Sequence, residues 1–223
     1  MCPWHLACVV KGSDDYSDGT VLQPKEKMKP PPQLQAGETA VILAALQFTV
    51  EKHIRQMNGE PDNGTYINRR IVVTEILSRV GRVTDITTLT AAILHHVFDD
   101  TLTVKMEFDR YFGTPVRLLV QELAEDKTLS EPERMQAWLD RVQLLSPRAK
   151  EIIVAEKICK LQEISKTQPE DWSFERTCGY MTWLEKVVAG CRGVNPNLDH
   201  YFDELFEART EIVLRMEPAS ASD

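Results

Sequence analysis

The chain has 223 residues, 43% of them hydrophobic, and its 34 acidic against 26 basic side chains give a net charge of −8; this length fits one domain with tails or two small domains. The acidic balance argues against a nucleic-acid polymer as partner, because neutralising phosphates needs surplus lysine and arginine, and no apolar run approaches the about 20 residues that span a bilayer. Five cysteines without a C-x-x-C pair indicate an intracellular protein, which we expect in the cytoplasm.

The two ends of the chain differ from its middle. Residues 1–36 hold five of the 12 prolines, including the run Pro30, Pro31 and Pro32, and an acidic stretch rich in turn-forming residues. Such a segment buries too little apolar area to offset its conformational entropy, so the sequence predicts a flexible, disordered N-terminal tail. Residues 215–223 form a second, shorter predicted tail, which leaves a single domain at 37–214.

Predicted helices begin at the start of this domain. The first covers residues 37–56, where apolar residues recur and no breaker follows Gly37. The second covers residues 70–80 and stops at Gly81, since glycine is common just after a helix end. Thr84 or Asp85 can cap the third helix, whose apolar residues recur at helical spacing: Ile86, Leu89, Ile93 and Val97.

The later helices carry clearer start signals. Thr114 before Pro115 is typical of a cap followed by the first helical position, and Ser130 with Glu133 has the spacing of a capping box. Ser146, also followed by proline, begins another helix, and two more cover residues 172–189 and 197–214. No segment of strand length alternates cleanly between apolar and polar residues, so we predict an all-α fold.

Polar residues cluster on the third predicted helix. His95 and His96 precede Asp99 and Asp100 by four positions, and residues at this spacing lie on one helix face, within reach of each other or of one metal ion. A solvated helix end is the alternative interpretation.

Two further polar features are weaker. Glu156 and Lys160 are also four apart, as in a metal or catalytic site or in an ordinary surface ion pair. Residues 63–70 predict a turn leading into a helix that carries Arg69 and Arg70 in its first turn. These cations would be unfavourable at the positive end of the helix dipole unless they paired with an anion or a carboxylate. An ordinary loop is the alternative interpretation.

The order of several short motifs resembles a known family. Residues 65–68 read T-Y-I-N where the family has the loop G-x-P-Y-I-N-H-P, residues 91–95 resemble the segment that runs into its H-D-x-x-E-D-T motif, and residues 155–158 read A-E-K-I where it has A-D-K-L. On these motifs the chain resembles the small (p)ppGpp 3′-pyrophosphohydrolases known as metazoan SpoT homologues, or the HD domain-containing protein 3 family.

The resemblance implies an all-helical HD domain of about eight to ten helices around a single Mn²⁺ ion. It implies removal of pyrophosphate from the 3′ position of a guanosine nucleotide such as ppGpp, and in an animal branch dephosphorylation of NADPH. Carried over by position, it assigns a water-activating pair, metal ligands and substrate-binding residues. The catalytic pair is Asp99 and Asp100, the metal positions are Arg69, His95, His96 and Glu156, and the substrate-binding residues are Lys52, Tyr66, Asn68 and Lys157.

Three of the four metal positions depart from the family. Arg69 stands for the loop histidine, His96 for the aspartate of the doublet and Glu156 for the later aspartate, while His95 is unchanged. Glutamate moves the ligand oxygen by roughly 1.5 Å, whereas metal geometry tolerates about 0.2 Å. His96 removes a negative charge, which favours Zn²⁺ or Fe²⁺ over Mn²⁺.

Arg69 is the most severe change. It places a fixed cation near the metal position, where one pair of unit charges at about 4 Å is worth roughly 4 kcal/mol at an effective dielectric of about 20. We expect Arg69 to occupy the vacated cation position, paired with Glu156, Asp99 or Asp100. The family asparagine after A-D-K-L is also changed, to Lys160.

Three functional hypotheses follow. The first is a member of this hydrolase family with weakened or lost catalysis and a weak or absent Mn²⁺ site, which leaves enzyme activity undecided. The second is an active metal-dependent nucleotide phosphohydrolase with an altered site. The third is a non-catalytic interaction module that uses the proline run at 30–32 as a polyproline ligand.

Overall fold

The computed structural model describes residues 37–56, 65–100, 105–166 and 172–214, apart from some side chains at helix ends, such as those of residues 65–66 and 98–100. Both predicted tails therefore lie outside the described residues. The described ranges contain helices and turns and no strand, which confirms the all-α prediction. The nine α-helices there are α1 (Glu38–Gln56), α2 (Thr65–Glu75), α3 (Ile86–Asp100), α4 (Lys105–Phe112), α5 (Thr114–Leu123), α6 (Glu131–Arg141), α7 (Pro147–Lys166), α8 (Phe174–Ala189) and α9 (Pro196–Leu214).

Most of the predicted helix starts are confirmed by hydrogen bonds. The Asp85 carboxylate accepts the backbone N–H of Thr88 at 2.9 Å before α3. Glu133 accepts both the backbone N–H of Ser130 at 2.8 Å and its hydroxyl at 2.6 Å, which closes the predicted link before α6. All these partners lie within one helical turn, so short-range sequence was sufficient to identify them.

The structure differs from the prediction most clearly in two helix starts and in one additional helix. Helix α2 begins at Thr65, so Arg69 lies in its second turn, away from the orphan N–H groups of the helix start. Helix α4 was not predicted. Thr114 is the first residue of α5, after Gly113 with φ 83°, because the Thr114 side chain hydrogen-bonds Asp109 instead of capping the helix.

Helices α3 and α7 form the centre of the bundle. Helix α3 packs against α1, α2, α5 and α7, and α7 also contacts α2, α5, α8 and α9. Both helices bury apolar residues on most of their circumference, as expected for helices surrounded by others: Ala91, Ala92, Ile93, Leu94 and Val97 on α3, and Ile152, Ile153, Val154, Ala155, Ile158 and Leu161 on α7. Each large buried side chain stabilises the fold by about 1.5–3 kcal/mol.

A buried asparagine holds α7 in register with its neighbours. Helix α2 ends in a π-helical turn, Ile76–Val80, which Gly81 closes by donating its N–H to the Ile76 carbonyl at 3.0 Å. The Asn195 amide donates to the Gly81 carbonyl at 3.0 Å and to Glu151 at 2.9 Å, and its oxygen accepts the N–H of Leu198 at 3.3 Å. The end of α2, the middle of α7 and the start of α9 are therefore joined through one side chain.

None of the helices in the described ranges combines the length and the hydropathy that a bilayer span requires.

Candidate functional site

Two histidines of α3 meet one glutamate of α7. His95 Nε2 lies 2.6 Å and His96 Nε2 lies 3.0 Å from the same Oε1 atom of Glu156. The His95 side chain is 3% exposed, that of His96 29% and that of Glu156 15%. A solvated helix end, the alternative interpretation of these histidines, is therefore wrong.

The orientation of His95 is determined by its other ring nitrogen. Nδ1 lies 3.0 Å from the carbonyl oxygen of Ala92, and because a carbonyl can only accept, Nδ1 carries a proton and donates it. Nε2 is then the atom that faces Glu156, with 2.6 Å between this nitrogen and the carboxylate oxygen. The same fixed tautomer is what a metal-binding histidine needs.

Burial and charge act in opposite directions on Glu156. Desolvation alone would raise its pKa, but the charges and hydrogen bonds of His95 and His96 together hold that pKa well below its ordinary value. For His96, burial, Arg70 and His95 outweigh Glu156, so its pKa lies well below the ordinary value. Glu156 is therefore a carboxylate, and the His96 imidazole is harder to protonate than a free one.

Arg70 lies beside Glu156. Its Nη1 lies 3.7 Å from Glu156 Oε1, and its side chain is 4% exposed. Arg69 instead forms a two-bond ion pair with Glu163, through Nε at 2.8 Å and Nη2 at 2.7 Å. The expected pairing of Arg69 with Glu156 is therefore wrong. Consecutive residues of a helix point about 100° apart, so α2 directs Arg70 towards Glu156 and Arg69 towards Glu163, about two turns further along α7.

Glu163 extends the cluster along α7. Lys160 Nζ lies 3.4 Å from its Oε2, and Cys159 Sγ lies 3.9 Å from its Oε1. Burial raises the pKa of the Cys159 thiol to about 12, so this thiol is not a ready ligand. Since Glu156 faces the histidines at 15% exposure, the alternative of a surface ion pair between Glu156 and Lys160 is wrong.

The other predicted site residues do not contact this cluster in the described part of the chain. Lys52 Nζ lies 2.7 Å from both carboxylate oxygens of Glu107 on α4. Lys157 Nζ lies over the rings of Trp183 and Trp138, at 4.9 Å and 5.6 Å from their centroids, and Asn68 is exposed. The side chains of Asp99, Asp100 and Tyr66 lie outside the described residues.

The sequence interpretation overlooked Glu163 and gave Arg70 no partner. The spacing of Glu156, Lys160 and Glu163 at i, i+4 and i+7 on one predicted helix could have indicated a continuous polar face. Nothing comparable indicates Arg70, because its partner is 86 positions away on another helix.

His95, His96 and Glu156 suit a divalent metal ion in ligand type but not fully in spacing. The ligand atoms of His95, His96 and Glu156 lie within 4.8 Å of one another, and two imidazole nitrogens with one carboxylate oxygen suit first-row divalent ions. However, two ligands with bonds of about 2.1 Å to one ion normally lie about 3 Å or more apart. The 2.6 Å contact between His95 Nε2 and Glu156 Oε1 must therefore lengthen before both atoms can bind a metal.

Comparison with known proteins agrees with this geometry. The family model described as HD domain matches residues 45–179, which is more than half of the chain. The chain belongs to the HD domain family. It is 37% identical over 172 residues to the human guanosine-3′,5′-bis(diphosphate) 3′-pyrophosphohydrolase MESH1, covering 77% of this chain and 96% of that protein. The Drosophila melanogaster MESH1 is 36% identical over 171 residues, with the same coverage of 77% and 96%.

A solved structure gives the same result. The chain matches the structure of a metazoan SpoT orthologue described as hydrolysing ppGpp, with a TM-score of 0.68 and 35% identity, over 76% of this chain and 96% of that one. The resemblance inferred from the short motifs is thus confirmed, and the chain is a member of the family that contains the MESH1 pyrophosphohydrolases. Membership implies a family chemistry that depends on a divalent metal.

Proposed function

We propose that this chain binds a guanosine polyphosphate at the site formed by His95, His96 and Glu156 but removes its 3′-pyrophosphate slowly or not at all. The observation that carries the proposal is that other side chains already contact the Glu156 carboxylate. In the family this position belongs to a metal ligand, whereas here its Oε1 atom contacts His95 and His96 and lies 3.7 Å from Arg70. Arg70 beside Glu156, and Arg69 farther along α7, then replace part of the positive charge that a metal would bring.

The charge balance supports weakened metal binding. Arg70 lies on the same carboxylate oxygen that would bind the metal, so a divalent cation there meets a fixed like charge. Arg69, at the position of the family's loop histidine, contributes no lone pair and is held by Glu163. A metal would retain only three of four protein ligands and would have to separate His95 Nε2 from Glu156 Oε1.

When bound, a divalent ion would supply an activated water and neutralise phosphate charge. His95, His96 and Glu156 are the residues that would hold it. Asp99 and Asp100 remain the predicted pair for orienting the water and taking its proton, and Lys52, Tyr66, Asn68 and Lys157 remain predicted substrate contacts. Mn²⁺ is the ion that the family resemblance favours.

One observation favours the second candidate, an active hydrolase with an altered site. The ligand atoms of three side chains that bind metals readily, His95, His96 and Glu156, already lie within 4.8 Å of one another. Two imidazoles and one carboxylate would then favour Zn²⁺ or Fe²⁺ over Mn²⁺, and an NADPH-like molecule is the other substrate that the resemblance suggests. The interaction module built on prolines 30–32 lies outside the described residues and stays a prediction, as does cytoplasmic location.

The deciding experiment compares the natural chain with a restored variant. Purified protein is incubated with ppGpp and Mn²⁺, and release of GDP and pyrophosphate is followed. The restored variant carries Arg69→His, His96→Asp and Glu156→Asp, and a second version adds Arg70→Ala. We expect turnover by the natural chain to be at least about 100-fold slower than by the better restored variant, a difference of about 2.7 kcal/mol in activation free energy.

Equal turnover would contradict the proposal and support the altered site. Parallel assays with Zn²⁺, Fe²⁺ and NADPH then identify the ion and the substrate class. The same samples give a second readout, since a ligand that binds only the folded state raises the melting temperature. Mn²⁺ should raise it more in the restored variants than in the natural chain.

A further inference from the structure

One cluster next to Glu156 along α7 contains two cations at positions where the resembled family has other residues. Arg69, Lys160 and Glu163 form it, and we call it the Arg69 cluster. Arg69 contacts both carboxylate oxygens of Glu163, at 2.8 Å and 2.7 Å, and Lys160 lies 3.4 Å from the second. Two cations thus share one carboxylate. Arg69 and Lys160 stand where the resembled family has histidine and asparagine.

The cluster adjoins the candidate metal position. Glu156, Lys160 and Glu163 are at i, i+4 and i+7 on α7 and share one face of that helix. Burial opposes the charged form of Arg69, but Glu163 and, more weakly, Cys159 and Glu156 raise its pKa. The charge of Glu156 therefore reaches Arg69, and the Arg69 cluster lies along the same face of α7 as the candidate metal position.

The cluster is also open to solvent. The side chains of Arg69 and Glu163 are each 35% exposed, and that of Lys160 is 17% exposed. Ion pairs at such partly exposed positions contribute little net free energy, so an anion of higher charge can replace the carboxylate. The two parallel hydrogen bonds that Arg69 makes to Glu163 are the arrangement in which a guanidinium also binds a phosphate.

We propose that Arg69 and Lys160 form a phosphate-binding site that works without a metal ion, and that the Glu163 carboxylate occupies it in the free protein. The ligand class is a pyrophosphate group, either free or attached to a nucleoside. The inference rests on the proposed function, in that the lost metal is replaced by side-chain cations. Because the whole chain has a net charge of −8, general attraction of anions does not account for such binding.

The test measures binding in EDTA, so that no divalent ion contributes. Titration calorimetry with the full chain uses inorganic pyrophosphate in one arm and ppGpp in the other. Arg69→His and Lys160→Asn each restore a family residue and should weaken pyrophosphate binding at least about tenfold. Glu163→Gln removes the carboxylate that contacts both cations and should strengthen pyrophosphate binding about threefold or more. Glu185→Gln, on an exposed part of α8, makes the same change in net charge and should leave binding unchanged.

These outcomes have opposite signs, which separates a binding site from loss of fold. Stronger binding by Glu163→Gln cannot arise from an unfolded variant, and melting curves confirm folding of the two weakened ones. Equal affinity for pyrophosphate and ppGpp assigns the site to the phosphate group alone, whereas tighter ppGpp binding adds a nucleoside contact. Absence of pyrophosphate binding in EDTA by both the natural chain and Glu163→Gln would overturn the proposal, as would binding that ignores Arg69 and Lys160.

The binding test and the hydrolysis assay can fail separately. Fast hydrolysis by the natural chain with Mn²⁺ would remove the proposed function, while the measurement in EDTA would still show whether the cations hold phosphate alone. Slow hydrolysis without binding in EDTA would leave the proposed function intact and refute this inference.

Discussion

At the scale of single residues, Glu156 and Glu163 have different energetic roles although they are 7 positions apart on one helix. Glu156 is 15% exposed and contacts buried His95 and nearly buried Arg70, whereas Glu163 pairs with cations at the edge of the domain. A carboxylate that serves buried cations contributes far more to stability than one in a partly solvated pair. The two glutamates therefore form a natural matched pair for mutagenesis.

We expect Glu156→Gln to lower the free energy of unfolding by about 3 kcal/mol, because buried positive charge then loses its carboxylate. Glu163→Gln should lower it by less than about 1 kcal/mol, since solvent compensates a partly exposed pair. Urea denaturation followed by circular dichroism measures both. Equal losses in the two variants would show that Glu156 contributes no more to stability than the partly exposed Glu163.

At the scale of elements, one glycine within α8 and another just after it lie in different surroundings. A Cβ atom added at Gly190, just after the helix, would overlap Cγ1 of Val142. A Cβ added at Gly179, in the middle of the helix, would have no atom within 4 Å. The end of α8 thus packs against the segment after α6 at a distance that only glycine allows, while Gly179 only lowers the intrinsic stability of its helix.

Gly190→Ala should therefore destabilise the protein by about 1–3 kcal/mol, as overpacking of a well-filled contact does. Gly179→Ala should stabilise it by up to about 1 kcal/mol, because alanine favours the helix over glycine. Thermal and urea unfolding of both variants give the two signs. Adding Val142→Ala to Gly190→Ala should recover part of the loss, and no recovery would mean that Val142 is not the obstacle.

The elements also show how far local sequence reaches. Asp85 at the start of α3 and Ser130 with Glu133 at α6 were predicted correctly, since each cap bonds a partner at most three positions away. Thr114 was assigned one position off, because its hydroxyl bonds Asp109 in the preceding helix. A side chain that could cap a helix can instead hydrogen-bond a tertiary partner, and the local sequence pattern does not show which partners are within reach.

At the scale of the whole molecule, several carboxylates have pKa values below their ordinary range. Hydrogen bonds from Arg117 lower the pKa of Asp109, those from Thr128 lower that of Asp126, and those from Ser130 lower that of Glu133. Unfolded aspartate and glutamate titrate near about 3.9 and 4.3. In this range the unfolded chain binds more protons than the folded one, so stability increases with pH.

The stability from these groups is therefore fully present above about pH 5 and lost as pH falls through their folded pKa values. We expect the melting temperature to fall steadily below about pH 5 for the natural chain. A variant with Asp109→Asn, Asp126→Asn and Glu133→Gln keeps hydrogen-bond acceptors but cannot titrate there, so its curve should be flatter. Parallel curves for the two proteins would exclude these carboxylates as a source of acid sensitivity.

The division into a tail at 1–36, a domain at 37–214 and a tail at 215–223 stays a prediction at this scale. The HD domain match at 45–179 lies within the predicted domain. The all-α class, most of the helix starts and the family could be inferred from the order of the amino acids. Each depends on residues within a few positions of one another, or on short motifs whose order is visible in the sequence alone.

Only the tertiary structure decided the partners at the centre. Whether Arg69 or Arg70 meets Glu156 depends on how α2 is rotated against α7, since the two side chains diverge by about 100°. That rotation is set by packing of the core and by Asn195, which joins Gly81 to Glu151 across 114 and 44 positions of the chain. The sequence could therefore name His95, His96 and Glu156 as a candidate site, but the charges that surround them follow from how whole helices pack.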